Sequence, residues 1–351
     1  MTDPVPEKPA RRPRYAGKNP RSFHEKYKEH QPDRYADDVA KVLAGGKTPA
    51  GMHRPIMVQE ILAQLIPRPG EIAIDCTLGY GGHAKELLAA VQPGGRLLGV
   101  DADPIELPKT EARLRTLGYP TESLVVRRMN FAGVLQFISS EAPAGADLLL
   151  ADLGLSSMQI DNPERGFTFK SDGPLDMRMN CGHGQPASAL LSKLDVDDFA
   201  ELLVKNADLL YAEHLATAIL EAHETQPLMT TQSLAAVVRQ ACLRLPTDAD
   251  RSPDDIVRGV FQALRIAVND EFGALDTFLR NLPYCMRPGG RIAILTFHSG
   301  EDRRVKEAFK AGLQSGLYAS VTKDVIRTSR EEQHANPRSS SAKLRIAIRG
   351  E

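Results

Sequence analysis

The sequence predicts an α/β protein: a mostly parallel sheet covered by helices on both faces, with an all-helical insertion. Three observations carry this expectation. Between Glu71 and Leu155, four apolar runs alternate with segments of helical spacing, the rhythm of a parallel sheet buried on both sides. From residue 187 to about 245, only helical patterns occur. After Arg258 the strand pattern returns, in RIAILTFH and KLRIAIR.

In chain order, residues 1–50 come first. They are rich in proline, and their first half carries Arg11, Arg12, Arg14, Lys18, Arg21, Lys26 and Lys28. Such a composition buries little surface and predicts disorder. An RNA-binding arm and a solubilising extension are both open readings. MVQEILAQLI, from Met57, has apolar residues at helical spacing. EIAIDCT reads as the first strand, followed by a glycine-rich turn and a helix from His83. GRLLGVDAD is the second strand, ending at Asp101 and Asp103. A helix follows over Pro104–Leu117, its prolines tolerable near the start. SLVVRRMNF and ADLLLADLGL are the third and fourth strands, leading to Phe131 and Asp152.

Residues 161–180 read as a long loop rich in Gly, Pro and charge, a length that often marks function. A lid or base clamp is expected there. Residues 260–282 read as one long amphipathic helix, and EDRRVKEAFK as another. The polar stretch 328–341 is expected to be mobile, and KLRIAIR to close the sheet at an edge. The domain boundaries predicted are 1–50 for the extension, 51–180 for the first part of the sheet domain, 181–250 for the helical insertion and 251–351 for the remainder.

The formal net charge of -1 over 351 residues gives no bulk basic field, so nucleic-acid binding would need a local patch. The cysteines at 76, 181, 242 and 285 have no C-x-x-C spacing. Neither a zinc site nor a disulfide framework is expected, and a reducing compartment fits. MTDPVPEKPARRPRY has no apolar signal core, and no apolar run reaches membrane-spanning length. The expectation is a cytoplasmic protein without a membrane anchor.

A strand, a tight glycine turn and a helix make a cradle for a small ligand. Here the turn is GYGGH, Gly79 to His83. It is not G-x-G-x-x-G, because residue 84 is Ala, and it lacks the Lys-Ser/Thr of a P-loop. An adenosine without a large anionic phosphate fits better. Asp101, 18 residues beyond His83, can accept hydrogen bonds from both ribose hydroxyls, or cap a helix. The spacing favours S-adenosylmethionine over NAD. Asp75 could orient the amino-acid part of that ligand or hold the loop. Phe131 could stack near adenine or pack in the core.

Asp152 and Gln159 lie at the carboxyl end of the fourth strand, where open parallel sheets bind ligands. A carboxylate there can accept from an exocyclic amine, and the Gln159 amide suits a base edge. Ser156 and Ser157 read as turn or capping residues. His298 is a site residue or a structural one, with a helix start behind it. Arg165, Lys170 and Arg178 could contact phosphates, though Arg178 could pair with Asp172 or Asp176. Lys343 and Arg345 could meet phosphate or form a solvated face.

Taken together, these stretches resemble the bacterial RsmH family, also called MraW. The marks are HRPIMVQE at 53–60, DCTLGYGGH at 75–83, DLGLSSMQ at 152–159, RGFTFKSDGPLDMRM at 165–179, FQALRIAVNDE at 261–271, FHSGEDR at 297–303 and SAKLR at 341–345. The resemblance implies a Rossmann-like S-adenosylmethionine-dependent methyltransferase sheet. It implies methylation of N4 of a cytidine in the decoding region of 16S (small-subunit) ribosomal RNA. It places cofactor contacts on Gly81, Gly82, His83, Asp101, Phe131, Asp152 and Gln159, and gives the helical insertion a part in holding RNA. For that chemistry Asp152 is the expected catalytic group, and no metal is required. The partner implied is small-subunit ribosomal RNA or the assembling subunit; a homodimer is left open. The chain departs from the family pattern in its basic extension, in SPDDIVR at 252–258, at Gly300 where Leu is usual, and at Lys205–Asp208.

Overall fold

In the computed structural model, residues 55–245 and 251–351 are described. The basic extension over 1–50 lies outside the described residues. Residues Pro55–Glu351 hold together as one compact unit.

Seven strands form one sheet in the order β3-β2-β1-β4-β5-β7-β6. They are β1 (Ile72–Asp75), β2 (Arg96–Asp101), β3 (Leu124–Arg128), β4 (Ala146–Asp152), β5 (Met286–Thr296), β6 (Tyr318–Val321) and β7 (Lys343–Arg349). The first five run parallel, and β7 is antiparallel to both β5 and β6. Side chains alternate across the strands, so each apolar run feeds two cores. Ile74, Leu149, Ala151, Ile292 and Ile294 enter one core, with Phe137, Phe278 and Phe309. Ala73, Leu148, Leu150, Ala293 and Leu295 enter the other, with Ile61, Leu87 and Leu114. Each such buried Leu or Ile side chain is worth ~1.5–3 kcal/mol.

The helices of the second core are α1 (Val58–Leu65), α2 (Gly82–Ala90) and α3 (Glu106–Arg115). The first core draws on α4 (Val134–Glu141). A short α5 (Ser157–Asp161) follows β4. Next come α6 (Ala187–Leu191), α7 (Val196–Ala207), α8 (Ala212–Thr225) and α9 (Thr231–Cys242). They share an apolar cluster with α10 (Pro253–Asn269), around Phe199, Leu215, Leu234 and Val260.

The structure corrects four sequence expectations. Residues 260–282 are not one helix. The chain breaks at Asp270, in the left-handed region at φ 46, and restarts as α11 (Glu271–Asn281). Asp visits that region more readily than apolar residues do, and Arg265 and Glu271 pair across the break at 2.7 and 2.9 Å. The 161–180 loop is not a free lid. Phe167, Leu175 and Met177 are buried in the helical cluster, and Leu175 donates to the Met229 carbonyl at 2.9 Å. The 328–341 stretch is ordered into α13 (Arg330–Ala335) and a 3-10 turn, Pro337–Ser341. Its Glu332 accepts from the Met57 amide at 3.0 Å, and its Arg338 pairs with Asp161 at 2.6 Å. Finally, β7 is not an edge: β6, missed in the sequence, lies outside it.

Gly300 sits in α12 (Ser299–Gln314). A Cβ there would lie 2.6 Å from Cζ of Phe272, which is buried under the Arg304 guanidinium. The ring occupies the space a larger residue would need, which accounts for Gly300 where the family pattern has Leu. Gly300→Leu should therefore lower unfolding stability by ~1–3 kcal/mol through overpacking. Phe272→Ala in the same chain should recover part of that loss. Denaturant titration of the three variants measures both effects; a fully stable Gly300→Leu protein contradicts them.

Candidate active site

Strand order reverses between β1 and β4, and the carboxyl ends of these strands face a common crevice. Three tethers set its geometry. The Asp152 amide donates to Thr77 Oγ1 at 2.6 Å, joining the ends of β4 and β1. Asp101 Oδ2 accepts from the Gly79 amide at 2.7 Å, joining the end of β2 to the glycine turn. Thr110 Oγ1 of α3 donates to the Gly79 carbonyl at 2.6 Å. Gly79 has φ 47, and a Cβ built there would meet just the Thr77 carbonyl, at 3.6 Å. The turn thus leaves open space in a cleft lined by Gly79, Tyr80, Asp101, Asp103, Ser156 and Gln159.

The sequence-predicted residues divide into groups. Gly81 and Gly82 serve close packing: a Cβ at Gly81 would lie 2.8 Å from Thr110 Cγ2, and one at Gly82 3.0 Å from Pro55. The cleft is lined instead by Gly79 and Tyr80, with the Arg113 guanidinium 3.6 Å from the Tyr80 ring centre. Asp101 does not cap α3. That turn is held by Asp103 Oδ1, which accepts from the Ile105 amide at 2.8 Å. Burial pushes the Asp101 carboxyl upward. Phe131 packs edge-on against Phe278 at 5.3 Å. The Gln159 amide is used within the fold rather than held free for a base. Its Oε1 accepts from the Ser156 amide at 3.0 Å, and its Nε2 donates to Asp103 Oδ2 at 2.8 Å.

Four of the five candidate arginines and lysines are similarly committed. Arg165 is buried and pairs with Asp103 at 3.0 Å, which corrects the phosphate reading for it. Burial raises the Asp103 carboxyl, but Arg165 and Gln159 outweigh it and hold that group low. Arg178 pairs with Asp176 at 2.7 Å. Lys343 and Arg345 both pair with Asp302, at 3.3 and 2.7 Å, so neither stands ready for phosphate. Lys170 is exposed.

Asp75 ends β1, Asp152 ends β4, and His83 stands in the first turn of α2. His83 Nε2 lies 2.9 Å from the Ile56 carbonyl, which can only accept. Nε2 therefore carries the hydrogen, and neutral His83 turns the Nδ1 lone pair toward Asp152 Oδ2, 3.6 Å away. Burial pushes the His83 pKa down. Burial raises Asp75 to about 6, with Asp152 and Asp101 adding to the effect. Asp152 is raised to about 7, by burial and by the charge of Glu301. Its Oδ1 is buried and has no hydrogen-bond partner among the described residues. A carboxyl that titrates near neutrality and keeps one oxygen uncommitted is suited to accept a proton from a bound group.

Sequence reasoning underrated two residues here. Asp103 was read as a strand end, yet it knits α5 and the 161–180 loop to the cleft. Glu301 was read as a helix-start acid, which it is, but it is also buried beside the site. The signal available was its place at the third helical residue after a strand that ends on the ligand side of the sheet.

The MraW methylase family matches residues 50–349 of the chain. Ribosomal RNA small subunit methyltransferase H 2 of Alkaliphilus metalliredigens is 47% identical over 347 residues, covering 98% of each protein. Ribosomal RNA small subunit methyltransferase H 1 of Lachnoclostridium phytofermentans is 45% identical, covering 97% of this chain and 93% of that one. Ribosomal RNA small subunit methyltransferase H of Symbiobacterium thermophilum is 37% identical, covering 85% of this chain and 96% of its own length. The first two alignments are long enough to take in most of residues 1–54.

The raised carboxyls have a consequence for stability. A buried acid with an elevated folded pKa favours the folded state at low pH, and that contribution is lost as pH rises through the folded value. For Asp75 and Asp152 the loss begins near the ordinary carboxylate value, about 4, and is complete by about pH 6 and 7 respectively. Asp152→Asn should therefore stabilise the ligand-free protein above pH 7 by ~1 kcal/mol or more, and by clearly less at pH 5, where only part of the loss has accrued. Melting temperatures of both proteins from pH 5 to 8.5 read this. Parallel curves across that range contradict it.

Proposed function

The chain belongs to the MraW methylase family, and from that premise we propose that it methylates N4 of a cytidine in the decoding region of small-subunit ribosomal RNA. It is an S-adenosylmethionine-dependent ribosomal RNA methyltransferase. The observation that carries the N4 reading is Asp152, with Oδ1 unpartnered at the carboxyl end of β4 and a carboxyl poised near neutrality.

The residues present suit S-adenosylmethionine. The Gly79 turn leaves room that a side chain would fill, and Asp101 lies at the end of β2 with lone pairs for ribose hydroxyls. Tyr80 would wall the adenosine side, Phe131 would border the base, and Gly81, Gly82 and His83 would shape the turn. Asp75 and Asp152 would face the amino-acid end. Bound there, S-adenosylmethionine supplies a methyl group already activated by its sulfonium.

The chain's own task is then alignment and proton management. The exocyclic amine of cytosine is a weak nucleophile, because its lone pair is delocalised into the ring. Holding it in line with the methyl carbon can supply much of the acceleration. Asp152 accepts a hydrogen bond from the amine, and that bond strengthens as the nitrogen becomes cationic. Asp152 then takes the proton. His83 Nδ1, 3.6 Å from Oδ2 with its lone pair facing it, is the next acceptor along.

A base must leave its stack to enter such a crevice, which costs a few kcal/mol and less in irregular RNA. We assign residues 181–250 as the inserted domain that helps to hold that RNA. The fixed 161–180 loop serves as its wall. Among the described residues no helix is long and apolar enough to cross a membrane, and a ribosomal RNA substrate supports the cytoplasmic reading.

Incubation with labelled S-adenosylmethionine and immature small ribosomal subunits should give N4-methylcytidine, located by nuclease mapping. Asp152→Asn should keep the fold and turn over at least 100-fold more slowly, the lower end of the effect of removing a general base. A label on another base, or on none, overturns the N4 assignment. Unchanged turnover of Asp152→Asn removes that carboxylate from the chemistry.

A further inference from the structure

We propose that Glu301 is a positioning carboxylate for Asp152, acting across the ends of β4 and β5 to keep Asp152 a competent proton acceptor. This rests on the reading of Asp152 as the group that meets the amine.

The strands bring the two acids together. Asp152 is in register with Leu295, and the Leu153 amide donates to the Leu295 carbonyl at 2.9 Å. From Leu295 the chain runs through Phe297 into α12, where Glu301 is buried at 4% exposure. Its Oε2 accepts from the Phe297 amide at 2.8 Å, and its Oε1 lies 3.2 Å from His298 Nε2. A Cβ built on Gly154 would be 3.8 Å from Glu301 Oε1. The carboxylate therefore lies against the backbone two residues beyond Asp152, whose Oδ1 has no partner.

The plain alternative is a capping box, in which Glu301 serves the start of α12 and nothing more. That role needs an acceptor at the third helical position, and Gln fills it as well as Glu. It does not need a buried negative charge, which costs several kcal/mol unless paired. The groups that offset it are His298, 3.2 Å from the carboxylate, and Arg265, which is itself held by Glu271 through two hydrogen bonds. Burial works against the Glu301 charge, yet His298, the Phe297 amide and Arg265 outweigh it and hold the carboxyl below its usual range. Glu301 is thus ionised where Asp152 titrates.

Other groups facing Asp152 are His83 from α2 and Asp75 from β1. Neutral His83 leaves Asp152 without a fixed counter-charge, and Asp75 adds a further acid. With Glu301 ionised, Asp152 holds a proton more strongly than an ordinary aspartate does. It becomes a better base for the ammonium-like nitrogen while staying partly ionised near pH 7.

Glu301→Gln separates charge from cap. Carboxyl 13C titrations of ligand-free protein labelled at Asp and Glu, with Asp152→Asn for assignment, should place Asp152 near 7 in the parent chain and clearly lower in Glu301→Gln. Glu301→Asp should restore part of the shift. The rising limb of methyl-transfer rate against pH should move the same way in Glu301→Gln, with cofactor affinity unchanged. An unmoved Asp152 midpoint in a folded Glu301→Gln protein overturns the proposal. Should that variant not fold, the parent chain alone decides: Glu301 titrating below Asp152 supports the proposal, and the reverse order sinks it. A shifted midpoint with no methylation by any protein would retain the carboxylate pairing and discard the function on which its use depends.

Discussion

The Thr77 hydroxyl beneath the Asp152 amide holds together everything at this site. At 2.6 Å it ties the ends of two strands where the sheet order reverses. There the backbone stops supplying partners, and side chains must finish the hydrogen bonding. Asp101 serves the glycine turn, Asp103 serves α3, α5 and Arg165, and Glu301 serves α12. Asp152 is left with an oxygen to which the fold gives nothing.

That gap is a standing conflict between stability and chemistry. A buried carboxyl oxygen without a partner is a burden on the folded state, and the nearby charge of Glu301 increases it. The fold tolerates this because the crevice is framed by two large apolar cores and a third helical cluster. The acids closest to the cofactor side are treated differently. Asp103 is neutralised by Arg165, while Asp75 and Asp152 are pushed upward. Carboxyls within one crevice thereby acquire different proton affinities, the condition for dividing binding from proton transfer.

Most strands were legible in the sequence because β1, β2, β4 and the second half of β5 are apolar runs buried almost throughout, and β3 begins as one before its exposed Arg127 and Arg128. The exception was β6: YASV is too short and too exposed to stand out. The break at Asp270 was hidden because the apolar spacing on either side stays in phase with one long helix. The 328–341 stretch was misjudged from polarity, since Glu332 and Arg338 fix it through partners 275 and 177 residues away. At the site, Asp101 and Asp152 could be read from their places at strand ends. The engagement of Gln159, Arg165, Lys343 and Arg345 could not, because each answers to an acid distant in sequence. A charged residue in a loop looks free until its partner is brought to it by folding.

The central claim is that the crevice between β1 and β4 holds adenosine on the Gly79 turn with Asp152 beside the reactive end. A crystal structure with S-adenosylhomocysteine tests it most directly. The account predicts ribose hydroxyls within hydrogen-bond distance of Asp101, adenosine against Tyr80, and the sulfur on the side of Asp152. Ligand density elsewhere, or an Asp152 carboxylate turned away into a new internal hydrogen bond, would contradict it.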